Sequence, residues 1–236
     1  MARSARRTLL LTGIAEGFGA DIAETFAKAG HDVIGLSRST RSSELLTRRV
    51  EAAGGNYFHL ACDITRAAEA MAAIEPHADR IDVLIHNPHL LVIKPFEQTT
   101  IEEFEQAWRV ACLGAVISVK SVIPHMATRR QGTIILTGAT AGLRGTANFA
   151  AFAAAKFALR GLAQSLAREY GPKGVHVAHV ALDGLIDEPQ TVERFGSQPE
   201  GRMDPRAIAQ AYLDLATQPP SAWTHEMDLR PFSERF

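Results

Sequence analysis

The sequence predicts an α/β protein, a doubly wound parallel sheet of about seven strands with helices on both faces. Three observations predict it. Short continuous apolar runs alternate with longer amphipathic segments along the chain, the pattern of strands buried on both faces by intervening helices. A glycine-rich turn follows the first apolar run and opens a helical pattern. No repeat, low-complexity tract or linker interrupts the alternation, so residues 1–236 read as a single domain.

The first strand is Thr8-Leu9-Leu10-Leu11, and a helical pattern over 18–29 closes on Gly30. A second strand, Val33-Ile34-Gly35-Leu36, precedes a polar helix over 41–53 that ends at Gly54-Gly55. Strand three is Tyr57-Phe58-His59-Leu60 and strand four covers 81–85. Apolar residues at helical spacing predict one long helix over 101–126. Strand five is Thr133-Ile134-Ile135-Leu136, and a helix over 148–170 stops at Gly171-Pro172. Strand six covers 175–180 and a last strand lies near Glu226–Leu229.

Composition excludes several classes. With 46% hydrophobic and 22% charged residues the chain is not disordered. A formal charge of −1 argues against nucleic-acid binding, whose affinity rests on neutralising phosphates. Cys62 and Cys112, fifty residues apart, form no metal-ligand spacing, and their scarcity suits a reducing compartment. The basic start is followed by three leucines before Thr12-Gly13, too short a run for a signal peptide. No stretch approaches about 18 consecutive apolar residues. A soluble cytoplasmic protein without a membrane partner is expected.

In a Rossmann-like sheet, ligands bind beyond the carboxyl ends of the strands where strand order reverses. Thr12-Gly13-Ile14-Ala15-Glu16-Gly17-Phe18-Gly19 falls there. Glycines permit a tight turn and close approach to a pyrophosphate, which then rests on a helix N-terminus. Thr12, Gly13, Gly17, Phe18 and Gly19 are therefore candidate cofactor contacts; the plainer reading is a strand-to-helix turn that binds nothing. Asp63, after strand three, suits an adenine amino group or a cap for the segment that follows. Strand two ends in Leu36-Ser37-Arg38, with no acid for a ribose 2′-hydroxyl. Arg38 suits a 2′-phosphate, which favours NADP(H) over NAD(H). Glu16 argues the other way by repulsion, and Arg38 also reads as a solvated loop charge.

These pieces, TGIAEGFG at 12–19, CDIT at 62–65 and Phe152-Ala153-Ala154-Ala155-Lys156, resemble the short-chain dehydrogenase/reductase family over roughly residues 7–231. The resemblance implies an NAD(P)(H)-dependent oxidoreductase acting on a carbonyl or alcohol, with Asn87, Lys156 and Ile186 among the cofactor contacts. In that family a Tyr-x-x-x-Lys pair supplies the general acid or base and the lysine that lowers its pKa and holds the nicotinamide ribose. A Ser thirteen residues before the Tyr donates to the substrate oxygen, and an Asn on the preceding long helix positions a relay water. A homodimer or homotetramer through the two long helices is also implied, and the small residues over 149–163 permit close helix approach.

Residue by residue, the match breaks at the chemistry. Lys156 is kept, but the Tyr position is Phe152, the Ser position Ala139 and the Asn position Ala111. The family's Asn-Asn-Ala-Gly is His86-Asn87-Pro88-His89, its Pro-Gly is Asp183-Gly184, and its Thr or Ser near the nicotinamide amide is Glu188. This pattern resembles an atypical subgroup with Phe in place of the Tyr. A positioned general acid contributes about 10²–10⁴ in rate and an oxyanion donor about 10²–10³, so the usual reduction is expected to be slow. Replacement candidates are Thr137, which strand alternation puts on Ala139's face, Thr140, His86, His89, Asp183 and Glu188. Each also has a plainer reading: β-propensity for the threonines, packing for the histidines, capping for the acids. His86, His89 and Glu188 admit a weaker metal reading, lacking ligand spacing on one element. Lys156 itself reads as a ribose contact or as a snorkelling lysine.

Three classes stay open. The first is an oxidoreductase homologue with weak or altered chemistry. The second is a catalytically silent cofactor-binding or subunit-interaction protein, its pocket partly filled by Phe152, Pro88 and His89, with no cofactor bound in the extreme case. The third is a non-redox enzyme using the pocket for proton chemistry.

Overall fold

The computed structural model describes residues 6–196 and 201–234. Its strands are β1 (Arg7–Thr12), β2 (His31–Ser37), β3 (Tyr57–Ala61), β4 (Val83–His86), β5 (Gly132–Thr137), β6 (Val175–Leu182) and β7 (Glu226–Leu229). They form one sheet in the order β3-β2-β1-β4-β5-β6-β7, and every neighbouring pair is parallel. The helices are α1 (Phe18–Lys28), α2 (Ser43–Ala52), α3 (Ala67–Ile74), α4 (Ile101–Trp108), α5 (Gly114–Thr128), α6 (Ala150–Tyr170), α7 (Pro189–Phe195) and α8 (Pro205–Ala216).

The leucine run of β1 shows why the strands read as continuous apolar runs. Leu9 and Leu11 pack with Ile22 and Phe26 of α1 and Tyr212 and Leu215 of α8. Leu10 points the other way, against Val122 and Met126 of α5 and Leu159 of α6. Successive side chains alternate between faces, so a helix layer on each face demands an apolar residue at every position.

Strand order reverses between β1 and β4. From β1 the chain builds outward to β3, and from β4 it builds the other way to β7. Thr12 and His86 are register partners at the carboxyl ends of these two strands. A crevice is expected at such a junction, because the following loops diverge to opposite faces.

The predicted helix over 101–126 is instead two helices, α4 and α5, joined by a π-helical turn at Arg109–Leu113. Apolar spacing runs unbroken through that turn, so the sequence reads as one helix. By length and composition alone the stretch Ile101–Thr128 is apolar enough to cross a membrane, although no run of consecutive apolar residues in it approaches about 18. Most of it is buried within the fold, where α5 covers the sheet. Helices α3, α7 and α8 were not predicted. Yet α8 carries legible start signals, Asp204 accepting from the Arg206 N–H at 2.9 Å and Pro205 in the first turn.

Candidate active site

A cleft of about 1080 Å³ opens beyond the carboxyl ends of the strands. The glycine turn, Arg38 and Asp63 border one end, Asn87 and His89 the middle, and Ala139, Phe152 and Lys156 the other end.

The turn depends on its glycines. Gly13 and Gly17 have φ of +74° and +91°, a region that side-chain-bearing residues rarely adopt. The Gly13 N–H donates to Leu36 O at 2.8 Å, tying the turn to the end of β2. A Cβ on Gly13 would lie 2.7 Å from the Pro88 nitrogen, so this glycine lets the loop after β4 close onto the turn. Gly17 occupies the N-cap of α1 without a capping side chain. Ile14, Phe18 and Gly19 line the cleft beside it. Thr12 does not: it is fully buried, and its hydroxyl lies 2.9 Å from His86 Nδ1.

At the end of β2, Arg38 is exposed on the cleft lip, with Ser39 and Arg41 beside it. Ser39 Oγ accepts the Arg41 N–H at 3.1 Å, which fixes this short turn. Asp63 borders the cleft, but its Oδ1 accepts from both the N–H and the hydroxyl of Thr65, at 2.9 and 2.8 Å. Partial burial raises its pKa, and these bonds, with Arg38 and Arg66 nearby, bring it below the usual carboxylate value. Asp63 thus closes a local turn and is not the cap of α3, whose N-cap is Arg66 without a capping side chain. Asn87 and Ile186 both line the cleft.

At the far end Lys156 is 2% exposed, and its Nζ donates to Thr137 O at 2.7 Å. Burial lowers its pKa to about 7. The Phe152 ring lies 5.7 Å from that Nζ and packs with Leu91, Ala139, Ala141 and Phe149. Ala111 lies within the π-helical turn behind the cleft wall and is buried.

Most replacement candidates are already committed elsewhere. His86 does not reach the cleft: its Nε2 lies 3.1 Å from Ala111 O, which can only accept, so Nε2 carries the proton. Nδ1 then accepts from the Thr12 hydroxyl. Burial, reinforced by the Lys156 charge, lowers its pKa to about 3 and keeps the ring neutral. The Thr137 hydroxyl accepts from the Tyr212 phenol at 3.1 Å in the core. Thr140 donates to Asp183 Oδ1 at 2.6 Å, and Arg144 and Arg230 each reach the same buried carboxylate at 3.3 Å. Asp183 is therefore a structural latch rather than a free acid. Glu188 accepts the Phe18 N–H at 3.0 Å, at the start of α1 and not at the Lys156 end. His89 is the one of the six exposed at the cleft, its ring edge-on to Phe152 at 6.2 Å. Desolvation by the cleft walls, with Lys156 and Arg194 nearby, lowers its pKa. Among the described residues no group of three or more His, Cys, Asp or Glu side chains is placed to hold a metal.

A family model described as short chain dehydrogenase matches residues 7–195. The chain belongs to the short-chain dehydrogenase family. A short-chain dehydrogenase from Rhodopseudomonas palustris is 36% identical, with a TM-score of 0.82 over 96% of this chain and 100% of that one. A metagenomic short-chain oxidoreductase in complex with NADP is 27% identical, with a TM-score of 0.83 over 97% of this chain and 98% of that one. A 3-oxoacyl-[acyl-carrier-protein] reductase of Vibrio cholerae is 29% identical over 89% of this chain and 90% of its own length.

In this short-chain dehydrogenase three features escaped the sequence. Ser39 and Arg41 join Arg38 at the cleft lip, and the Ser/Arg-rich stretch after strand two was the available signal. His86 is a packing hub between β1, the π-helical turn and Ser118 of α5. Tyr212 reaches from an unpredicted helix to the base of the cleft. No local pattern announces the last two, because each depends on a partner from a distant element.

Proposed function

We propose that the chain binds a nicotinamide dinucleotide, NADP(H) in preference to NAD(H), and that its standard carbonyl or alcohol chemistry is weak or altered. One observation carries the reading: Lys156 sits at the cleft floor, 2.7 Å from Thr137 O, with the Phe152 ring 5.7 Å away where a proton donor is expected. The cleft suits the group, because its glycine turn leaves no Cβ at the start of α1 and a cationic lip borders the same end. Gly13, Gly17, Phe18 and Gly19 would hold the diphosphate, and Asp63, Asn87, Lys156 and Ile186 the rest. The bound dinucleotide would supply hydride transfer. Arg38, with Ser39 and Arg41, supports the preference for a 2′-phosphate; Glu16, exposed in the same turn, opposes it.

This chain's own residues explain the weak chemistry. Phe152 has no proton to give and Ala139 no donor for a developing oxyanion. Thr140 already donates its hydrogen bond to Asp183. The missing donors remove contributions of about 10²–10⁴ and 10²–10³.

Thermal melts with NADPH and NADH at millimolar concentration test the reading. NADPH is expected to raise Tm more than NADH; a shift with neither removes the cofactor and leaves the silent interaction protein. If NADPH binds, Ala139→Ser with Phe152→Tyr is expected to reveal carbonyl reduction. Failure on a broad carbonyl panel would mean that the pocket has changed use.

A specific observation also favours self-association. Trp108 on α4 and Phe157 on α6 are 42% and 44% exposed, large apolar surface on helices that pack together. A homodimer or homotetramer through this face would cover them. Sedimentation of Phe157→Glu against the unmodified protein tests it, with dissociation expected.

A further inference from the structure

The first N–H groups of α1 are the natural anion site of this fold, since they lack intrahelical partners and carry the positive end of the helix dipole. Here an anion from the chain itself is already seated. The Glu188 carboxylate accepts the Phe18 N–H at 3.0 Å, across 170 residues of sequence. A Cβ on Gly17 would lie only 2.6 Å from Glu188 Oε2 and 3.3 Å from Gln190 Oε1. The space that a glycine keeps clear for a close-approaching phosphate is thus filled by these two side chains.

The segment bearing Glu188 is strapped down on both sides. At its root, Asp187 N–H donates to Met203 O at 2.9 Å and Met203 N–H to Leu185 O at 2.8 Å. Gln190 Nε2 donates to Glu16 O at 3.3 Å on the glycine turn, and Arg194 to Leu91 O at 3.3 Å on the loop after β4. Helix α7 therefore bridges the two loops that flank the cleft. Among the described residues no cation pairs with Glu188. The nearby charge is Asp21 of α1, itself paired with Arg49 at 2.7 Å. Within the described residues the carboxylate is held by the helix terminus and by the strap.

We infer that Glu188 is an intramolecular competitor for the diphosphate end of the cleft, so that a dinucleotide binds only as the strap withdraws this carboxylate from the start of α1. Two anions do not share one set of N–H donors, and Glu188 thereby sets the affinity for any diphosphate ligand. The inference deepens the cofactor reading and rests on it.

Calorimetric titration separates the two. NADPH and inorganic pyrophosphate are titrated into the unmodified chain, Glu188→Gln and Glu188→Ala. The Gln variant keeps an oxygen for the Phe18 N–H and loses only the charge; the Ala variant empties the space. Removing one charge from a helix N-terminus is expected to tighten both ligands by about three- to tenfold, and Glu188→Ala by at least as much. Hydrogen exchange at the Phe18 amide is a second readout: NADPH should keep it protected in Glu188→Ala, where it exchanges fast without ligand. NADPH affinity equal in all three proteins would overturn the competitor role and leave the cofactor reading standing. No binding to any of them at millimolar concentration would overturn both.

Discussion

His86 Nε2 donates to the carbonyl oxygen of Ala111 at 3.1 Å, joining the end of β4 to the π-helical turn between α4 and α5. At position 111, where the resemblance implies the family's relay Asn, an aliphatic side chain stands with its carbonyl taken by an imidazole. Behind the cleft wall, a neutral histidine thus ties β4 to the π-helical turn.

That histidine makes the fold acid-sensitive. Its folded pKa is about 3, against about 6.5 in an unfolded chain. The unfolded state takes up the proton first, so stability is present above pH 6.5 and is lost progressively as pH falls toward 3. His31, His176 and His179, lowered by burial, act in the same direction. Replacing His86 with Leu is expected to cost about 1–3 kcal/mol at pH 7, because the Ala111 carbonyl loses its donor. Urea unfolding at pH 7 and pH 5 checks this, and the gap between variant and parent should narrow at the lower pH.

Lys156 has the opposite character, a site that costs stability. Its folded pKa of about 7 lies below the roughly 10.4 of a free lysine. The unfolded chain therefore holds the extra proton between those values, and stability rises with pH across that window. Lys156→Met should raise Tm at pH 7, with the difference shrinking toward pH 10. The same variant should bind NADPH more weakly, a trade of stability for a binding site.

Gly17→Ala should destabilise the protein by about 1 kcal/mol or more, since the native φ of +91° is strained for alanine. The added Cβ also collides with Glu188, so the strap should loosen. Chemical denaturation and proteolysis within α7 measure the two effects separately.

Asp183 is 1% exposed and takes a hydrogen bond from Thr140 and ion pairs from Arg144 and Arg230. Removing it takes this anion from the Arg144 guanidinium, while Arg230 keeps its pairing with Asp228. Asp183→Ala is expected to cost about 2–3 kcal/mol, less than a fully buried pair because Arg144 is 43% exposed. A denaturant midpoint shift smaller than that of an exposed control such as Glu44→Ala would contradict the latch.

The strands were legible because helix layers on both faces force an apolar residue at each successive position. Leu9, Leu10 and Leu11 show this within three residues. The long helix was misread because a π-helical turn adds a residue without breaking the apolar rhythm. Helix α3 was missed for the opposite reason: its alanine-rich sequence has little periodicity, and only Ala70 and Ile74 are buried. At the site, Gly13, Gly19 and Lys156 stood where motif and element order placed them. Thr12 did not, because strand alternation turned its hydroxyl toward His86.

What the sequence determined by itself is chemical identity. Hydrocarbon at 152, 139 and 111, with an amine at 156, removes a proton donor whatever the fold does. The tertiary structure decided which remaining polar groups are free, since a hydroxyl, imidazole or carboxylate is spent only when a partner arrives from another element. Thr137, Thr140, His86 and Asp183 were spent in this way. Glu188 is the sharpest case: its place at the start of α1 rests on a hydrogen bond between residues 170 apart in sequence, a relation no local pattern contains.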